Sequence, residues 1–499
     1  LTKDGHNIPF AVFLGFDGDK VPDIDLNFSG DYQPVAHKYT EVLFGKMNVF
    51  RAGTISGLQD KNAYGYAMHY YEDQGETKGR PYIEHMMRGC MGVKATTGQH
   101  AGGIMVVPRD MDVHYFTPIQ RPANNMESDT LTTHFDYHSI SERLVKLDIL
   151  GHDDPTVIKM LEELTHRDPE TIPFDDPATM SIFTSTEALG ITPEELGANM
   201  GTYGIPEFRT SFTQKMIDDS SPDCFADLVR ISGFSHGTNV WLGNAQDLIK
   251  AGTSTLKDAI SARDDIMNYL MQNGIDPLLS FKTMENVRKG KGIAPDVVEK
   301  LRAGGIPEWY IESCQKIKYL FPRAHATAYV MMGYRIAFCK VHYPLAYYAA
   351  YFSIRADEFD ANIIAKGQTA VKQAIDALNA EAREHRGKLD NKKQDILIVL
   401  QLAWEMYLRG YSCEPVDLYE SDAEKFILRE KSLLPPFTAL PGMGQKAAQA
   451  IVEARRTGRF ISIEDLAARA HVPAPAIDVL RAHGCLDGMT ETNQVELFA

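Results

Sequence analysis

The chain has 499 residues, of which 44% are hydrophobic and 24% charged, and its formal net charge is −16. The length predicts about three to five domains. No apolar run approaches the roughly 20 residues that cross a membrane, which argues against a membrane protein. The sequence shows no basic-then-apolar leader, so nothing in it indicates export. The acid excess argues against a nucleic-acid protein unless cations gather in local patches. The six cysteines are scattered, with no Cys-x-x-Cys pair, which argues against a structural zinc site.

The first strong pattern is an acidic strand at residues 21–28, VPDIDLNF. Asp23 and Asp25 are two residues apart and therefore point to the same face of a strand. Carboxylates this close repel each other unless positive charge lies between them. A pair of divalent cations about 4 Å apart, as in phosphoryl-transfer enzymes, is one interpretation. An acidic edge strand in water is the other. We expect residues 10–14 to pair with this strand as a hairpin, and the chain to be part of a longer protein.

Residues 33–93 differ in pattern, because their periodic apolar residues predict short helices. The following segment, TGQHAGG at residues 97–103, leads into an apolar strand. Its glycines could let backbone amides approach DNA or a phosphate, or could form a tight turn in which His100 makes hydrogen bonds. The pattern predicts a sheet that is split by a helical insertion. Asp136, in another predicted strand, is interpreted as structural.

A second charged strand is predicted at residues 144–151, LVKLDILG. Its apolar residues alternate with Lys146 and Asp148, which therefore share one face. If this strand lies beside the first, Asp148 is a third carboxylate on the same surface as Asp23 and Asp25. Lys146 would then lie where it can meet the phosphates of a metal-bound substrate.

Three segments together resemble the C-family replicative DNA polymerases, most closely the PolC type of DNA polymerase III alpha subunit: PDIDLNFSG (22–30), TGQHAGG (97–103) and KLDILGHDD (146–154). The resemblance implies an α+β multidomain protein with a partial palm sheet of the polymerase-β-like nucleotidyltransferase type, a helical thumb and fingers, and a C-terminal helix-hairpin-helix domain. The ranges it implies are palm at 1–32, thumb insertion at 33–93, palm again at 94–160, fingers and adjoining helices at 161–425, and a duplex-binding helix-hairpin-helix region with a clamp-binding tail at 426–499.

The family resemblance also implies template-directed DNA synthesis. Asp23, Asp25 and Asp148 would be catalytic and would hold two Mg²⁺ ions, for which Mn²⁺ could substitute, and Lys146 would contact the nucleotide. The implied partners are primer-template DNA, deoxynucleoside triphosphates, the beta sliding clamp and other replisome subunits, in the cytoplasm of a bacterium.

Two alternatives remain open. The family's upstream exonuclease, its metal-binding PHP region and its Gly/Ser-rich palm loop are missing, so the chain could be a catalytically incomplete fragment that binds duplex and tethers to the clamp. A metal-dependent nuclease is the weaker alternative.

Within the helical region, the segment ISGFSHGTNVW at residues 231–241 is dense in small and hydroxylated residues. The resemblance assigns it to the fingers near the incoming nucleotide, which makes Ser235 and His236 candidate nucleotide-binding residues. A Ser-Gly turn between helices is the structural alternative. Arg263 could clamp a triphosphate or could pair with Asp264 or Asp265.

The densest basic cluster is Arg288, Lys289 and Lys291, separated by glycines that suit a loop following a phosphate backbone. A solvated charged face is the common alternative. Arg323, in FPRAHATAY at residues 321–329, resembles a fingers motif and is a candidate DNA contact.

The C-terminal segment LPGMGQKAAQAI at residues 440–451 resembles a helix-hairpin-helix motif. Gly442 and Gly444 would present backbone N–H groups at a helix N-terminus to a DNA phosphate, and Lys446 would add charge. The final residues, QVELFA, match a clamp-binding peptide in which Gln494, Leu497 and Phe498 make the contacts.

Overall fold

The computed structural model describes residues 2–3, 6–7, 14–15, 18, 21–22, 24–122, 127, 130–385 and 387–493. The chain divides into two compact units, one formed mainly by residues 9–155 and the other by residues 156–499 with residues 2–8. Within the described part of the chain, no helix is long and apolar enough to span a membrane.

The first unit is built on a six-stranded mixed sheet with the strand order β1-β6-β3-β2-β5-β4. The strands are β1 (Ile24–Ser29), β2 (Val49–Gly57), β3 (Lys94–Val106), β4 (Ile119–Gln120), β5 (Thr132–Asp136) and β6 (Val145–His152). Strand β1 runs parallel to β6, and β6 runs antiparallel to β3. Three helices accompany the sheet: α1 (Gln33–Phe44), α2 (Asp60–Asp73) and α3 (Arg80–Cys90).

The alternation of β6 explains how the sheet is covered. Leu147 and Ile149 are buried with Ala36 of α1 and Ile104 of β3, so that α1 packs on this face. Side chains one residue away on β6 point to the opposite face. That face therefore carries Lys146 and Asp148, as the alternation predicts.

The predicted insertion at residues 33–93 is only partly helical. The short helices that the periodicity predicts are present as α1, α2 and α3, but residues 49–57 form β2, which pairs with both β3 and β5. The helical segment inserted into the sheet is thus confined to α2 and α3, between β2 and β3. Most of the predicted hairpin partner at residues 10–14 lies outside the described residues.

From residue 153 the chain is mostly helical. The second unit also contains short strands, at Ser412–Cys413, Ile427–Leu428 and Ser432–Leu434 and, from the start of the chain, at Thr2–Lys3 and His6–Asn7. The helices are Asp153–Thr165, Pro177–Ser181, Pro193–Leu196, Ser211–Ser220, Phe225–His236, Gln246–Lys250, Arg263–Gln272, Pro277–Arg288, Pro295–Ala303, Glu308–Lys316, Arg323–His342, Pro344–Ile354, Ala361–Ile364, Gln368–Glu384, Asn391–Leu408, Gln445–Arg455, Ile463–Ala470 and Ala474–His483. The predicted fold class, a partial sheet with many helices and a C-terminal helical hairpin region, is confirmed.

A half-buried histidine of the second unit, His483, is bound in its neutral form. The Val416 N–H donates to His483 Nε2 at 3.0 Å, and His483 Nδ1 lies 2.9 Å from Asn362 Oδ1. The ring therefore accepts on one nitrogen and donates from the other, which is the neutral form. Burial lowers the pKa of His483 below the ordinary value of 6.5.

We expect the free energy of unfolding to fall as the pH falls from about 7.5 to about 5.5, because the pKa of His483 is lower in the folded chain and the unfolded chain therefore takes up more of the proton in this window. The unfolded state then binds more protons, which is the sign that destabilises the native state on acidification. Thermal melting at both pH values checks this: His483→Gln should show a smaller drop than the unmodified chain. An equal drop in both would contradict the assignment.

Candidate active site

Two acidic residues from distant parts of the sequence meet on one face of the sheet. In the parallel register of β1 and β6, Asp25 lies directly opposite Asp148. Directly opposite residues on neighbouring strands point to the same face, with Cβ atoms about 5 Å apart. The predicted adjacency of the two charged strands is therefore present. Asp23 lies outside the described residues.

The two carboxylate oxygens of Asp148 differ in their contacts. Its residue is 9% exposed, and Lys146 Nζ lies 2.8 Å from Asp148 Oδ2. The other oxygen, Oδ1, is buried and has no hydrogen-bond donor among the residues that the structure describes. A buried carboxylate oxygen without a partner is costly in a protein interior, so an ion or ligand group would be stabilised there.

Lys146 is held beside this carboxylate by an aromatic ring. Its ammonium lies 4.4 Å from the centre of the Tyr137 ring, and its side chain is 14% exposed. The ion pair and the cation–π contact together fix the ammonium on the face that carries Asp25 and Asp148.

His100 borders the same carboxylate from β3. Residues 98–103 are not the predicted loop, because they lie within β3. The pairing with β2 jumps from Arg51–Ile104 to Gly53–Gln99, so residues 100–103 bulge opposite a single residue. A bulge changes the direction of side chains without ending the strand. It was not predicted here, because a Gly-rich segment is usually interpreted as a turn.

The bulge determines the tautomer of His100. The N–H groups of Gly102 and Gly103 donate to His100 Nδ1 at 3.2 and 2.8 Å. Nδ1 is therefore an acceptor, and the ring proton is on Nε2. The 3.5 Å distance from Nδ1 to Asp148 Oδ1 is then no ion pair, which agrees with an Oδ1 atom that lacks a donor.

We expect Gly102→Ala to destabilise the first unit by about 1–3 kcal/mol, because it overpacks a site without free space. An added Cβ would collide with the Leu150 side chain and lie 2.9 Å from the Ile149 carbonyl oxygen. Urea unfolding measures the loss. Gly89→Ala, in α3 with nothing near the added Cβ, is the matched control and should be neutral or stabilising. Equal stability of the two variants would contradict the packing argument.

Comparisons with known proteins agree with this arrangement. A family model for the bacterial DNA polymerase III alpha NTPase domain matches residues 2–79 and 69–151, one for the bacterial DNA polymerase III alpha subunit finger domain matches residues 154–305, and one for a helix-hairpin-helix motif matches residues 410–495. The chain is 56% identical over 498 residues to a DNA polymerase III PolC-type of Caldanaerobacter subterraneus subsp. tengcongensis, and 54% identical over 498 residues to that of Bacillus subtilis. Both alignments cover 100% of this chain.

The chain belongs to the PolC-type DNA polymerase III family. It spans about a third of the length of these relatives, 35% and 34% respectively. The family that the sequence motifs suggest is confirmed. The other candidate residues of this PolC-type chain lie outside the sheet, in the helical unit.

Ser235 and His236 lie together at the end of the helix Phe225–His236. His236 Nδ1 is 2.8 Å from the Ser232 carbonyl oxygen and 3.1 Å from Ser235 Oγ, and its Nε2 is 3.4 Å from Glu207 Oε2. Residues 231–236 belong to this helix, and residues 237–240 connect it to the next helical turn, Trp241–Ala245, so a turn between helices is present in the second part of the segment only. The structure thus brings both candidate nucleotide-binding residues to one helix end.

Arg263 begins the helix Arg263–Gln272, beside two buried carboxylates. Burial lowers the pKa of the Arg263 guanidinium, although nearby Asp264 raises it. Asp265 forms an ion pair with Arg323, and the Arg323 N–H donates to Asp264 at 2.7 Å. Burial alone would raise the pKa of Asp265, but its cationic neighbours and its bonds from Ser261 lower it overall. Arg263 and Arg323 therefore meet at the same acidic pair.

The basic cluster is divided between a paired residue and exposed ones. Arg288 donates to Glu285 from Nε and Nη2 at 2.6 and 2.8 Å, and its side chain is mostly buried. Lys289 lies 3.3 Å from the same carboxylate but is exposed, and so is Lys291. Lys289 and Lys291 are the two residues of this cluster that face solvent.

The helix-hairpin-helix candidates lie at the start of the helix Gln445–Arg455. Gly444 is its N-cap residue and makes no side-chain capping bond, and Gly442 has a φ of 92°, which favours glycine. Both glycines and Lys446 are exposed. Ser462 caps the following helix, Ile463–Ala470, by accepting from the Asp465 N–H at 3.0 Å. The tail residues Gln494, Leu497 and Phe498 lie outside the described residues.

Sequence reasoning missed two neighbours of these sites. One is Tyr137, which follows the predicted strand that contains Asp136: Asp136 ends β5 by accepting the His138 N–H at 3.0 Å, and Tyr137 begins the next turn. Glu207 precedes its partner Ser232 by 25 residues in an irregular segment, and no periodic pattern marks it. Neither contact has a local sequence signal.

Proposed function

We propose that this chain provides catalytic carboxylates and DNA contacts for template-directed DNA synthesis in chromosomal replication, in which deoxynucleotides are added to a primer 3′-hydroxyl. The observation that carries the proposal is the direct pairing of Asp25 with Asp148 on one sheet face, where a buried Asp148 oxygen lacks a donor. In this proposal the sheet is the palm, α2 and α3 are the thumb, and the helices beyond residue 160 include the fingers.

The residues of this face fit divalent cations. Hard cations such as Mg²⁺ prefer carboxylate oxygens, and Asp25 and Asp148 offer these on adjacent strands, with Asp23 as the proposed third ligand. Bound there, two Mg²⁺ ions, or Mn²⁺ in their place, would activate the primer hydroxyl and neutralise charge on the leaving pyrophosphate. The one-sided satisfaction of Asp148 supports this, because Oδ1 can bind a cation while Oδ2 keeps its contact with Lys146.

Lys146 would limit negative charge at the face and meet the reacting phosphates. Its ammonium carries three N–H donors, and a phosphate oxygen is an acceptor that such a donor matches. His100, whose Nδ1 accepts from two backbone N–H groups, would border Asp148 without donating to its carboxylate, which leaves Oδ1 to a cation.

Nucleotide binding is proposed for Ser235, His236 and Arg263 in the helical unit. Ser235 and His236 offer polar groups at one partly exposed helix end, and Arg263 offers a guanidinium that matches phosphate oxygens in pairs. The match of residues 154–305 to the finger-domain family model supports this assignment.

DNA contacts are proposed for exposed cations and for the hairpin. Lys289 and Lys291 are exposed on a loop that could follow a phosphate backbone. Arg288 and Arg323 would contribute only if DNA competed with their carboxylate partners. The tail residues Gln494, Leu497 and Phe498 are proposed to bind the sliding clamp, and through it the replisome in the cytoplasm.

Primer extension tests the proposal. The chain alone is compared with a hybrid in which it replaces the matching residues of the Bacillus subtilis relative, each with Mg²⁺, a primed template and four deoxynucleotides. Extension by the hybrid that Asp25→Ala abolishes is the expected result. Unchanged extension by the Asp25→Ala hybrid would overturn the carboxylate assignment. Metal-dependent DNA cleavage by the chain alone, without nucleotides, would favour the nuclease alternative.

A second candidate, duplex binding without catalysis, is favoured by the helix at Gln445–Arg455. Its N-terminus is exposed, its first turn carries no acidic residue, and its N-cap residue has no capping side chain. Such a terminus offers backbone N–H groups and the positive end of the helix dipole to a phosphate. This function requires no metal site.

We expect Lys446→Ala to weaken binding of the chain to a primed duplex and to lower the slope of log affinity against log salt by about 1, because one phosphate contact is lost. Fluorescence anisotropy over a salt series measures the slope. Lys431→Ala is the matched control: Lys431 is also exposed but precedes a strand rather than the hairpin helix. Equal slopes for the two variants would remove Lys446 from the interface.

A further inference from the structure

Glu207 has a strained backbone. Its φ is 69°, in the left-handed region that residues other than glycine seldom adopt. Such a conformation persists only where the surroundings hold it, and it often accompanies function. Here Ile205 and Phe208 on either side are fully buried, which fixes the backbone, and the Glu207 side chain is only 13% exposed.

The strained residue aims its carboxylate at the proposed nucleotide-binding helix end. Ser232 Oγ donates to Glu207 Oε2 at 3.1 Å, and His236 Nε2 lies 3.4 Å from the same oxygen, within ion-pair distance for the protonated ring. One carboxylate oxygen therefore contacts two residues that are one helical turn apart.

The other ring nitrogen of His236, Nδ1, already makes hydrogen bonds within its own helix. Ser235 Oγ donates to the Ser232 carbonyl oxygen at 2.8 Å, so the His236 Nδ1–H faces two acceptors, that carbonyl and Ser235 Oγ. The rings of Phe321 and His325, with centres 5.3 and 6.1 Å away, border the imidazole. The contact with Glu207 then sets the direction of the Nε2 edge.

We propose that Glu207 is a positioning residue for the nucleotide site: it orients Ser232 and the Nε2 edge of His236. Because the 3.4 Å distance from Nε2 to Glu207 Oε2 is longer than a normal hydrogen bond, the Nε2–H can donate to the triphosphate of an incoming deoxynucleotide. The proposal rests on the proposed nucleotide-binding role of His236. Glycine would adopt the backbone conformation of residue 207 without strain, so the structural cost of a glutamate here is offset only by what its side chain does.

Glu207→Gly separates the two roles, because it relieves backbone strain and removes the carboxylate. Equilibrium binding of fluorescent dATP with MgCl₂ to the 499-residue chain is measured for Glu207→Gly, Glu207→Gln, His236→Ala and the double variant Glu207→Gly with His236→Ala. Ser221→Gly is the matched control, since Ser221 also has a positive φ, 46°, but is not part of this cluster.

The expected result is an affinity for dATP lowered about tenfold by Glu207→Gly and less by Glu207→Gln, which keeps an acceptor for Ser232. The Glu207→Gly chain should melt no lower than the original, and the double variant should bind no more weakly than His236→Ala alone, because both changes act through one residue. Ser221→Gly should bind as the original chain does.

Unchanged dATP affinity of Glu207→Gly, or additive losses in the double variant, would overturn the proposal, as would the absence of dATP binding by the original chain. The measurement does not depend on primer extension. Loss of affinity in Glu207→Gly without extension by any version of the protein would therefore support the positioning role and count against the polymerase proposal alone.

Discussion

Asp148→Asn is expected to lower primer extension by the hybrid polymerase about a thousandfold or more, because it removes charge where a transition state is stabilised electrostatically. Asparagine keeps the size of the side chain and can keep an oxygen near Lys146 Nζ, now 2.8 Å from Oδ2. It replaces a carboxylate that lies opposite Asp25 and whose Oδ1 has no donor. Steady-state kinetics should show the loss in kcat.

The matched control is Asp136→Asn on the same sheet. Asp136 accepts the N–H groups of Ile55 and His138 at 2.9 and 3.0 Å, which is a structural role. Its loss should cost about 1 kcal/mol of stability and leave extension within a few-fold. Similar activity of the two variants would show that Asp148 is only another structural carboxylate.

Lys340→Met is expected to destabilise the helical unit by about 3–5 kcal/mol, because it leaves a buried carboxylate without its cation. Lys340 is fully buried and donates to the carbonyl oxygens of Gly201 and Tyr203, both at 2.7 Å, and to Glu405 Oε2 at 2.9 Å. Burial lowers the pKa of Lys340 to about 8, although Glu405 raises it. Urea unfolding followed by circular dichroism measures the loss.

A second variant tests the reason for this loss. Lys340→Met combined with Glu405→Gln removes the uncompensated charge and leaves Tyr348, which now donates to Glu405 Oε1 at 2.7 Å, with an amide partner. The double variant should recover part of the stability. A double variant less stable than Lys340→Met would show that packing, rather than buried charge, dominates.

The strands that carry the site were predictable, whereas their neighbours were not. Alternating apolar residues mark β1 and β6 and place Lys146 and Asp148 on one face, but the register that pairs Asp25 with Asp148 depends on the whole sheet. Strand β2 was not predicted, because its VFRAGTISG segment contains glycines and an arginine and lies between segments with helical periodicity. The bulge at His100 was not predicted, because glycines more often mark turns.

The same limit applies to the cations of the helical unit. Arg288 and Glu285 are three residues apart on one helix, a spacing at which opposite charges can pair, but the sequence interpretation offered only DNA contact or a solvated charged face. Arg323 pairs with Asp265 from 58 residues away, and no local pattern reports such a contact. Charge alone therefore overstated the number of arginines that face solvent.

The most direct test of the proposed metal site is a titration of the chain with Mn²⁺, without DNA or nucleotide, in which binding is measured by electron paramagnetic resonance. The account predicts saturable Mn²⁺ binding that is strongly weakened by Asp25→Asn and by Asp148→Asn and is retained by Asp136→Asn. Equal Mn²⁺ binding in all four proteins would contradict a metal site formed by Asp25 and Asp148.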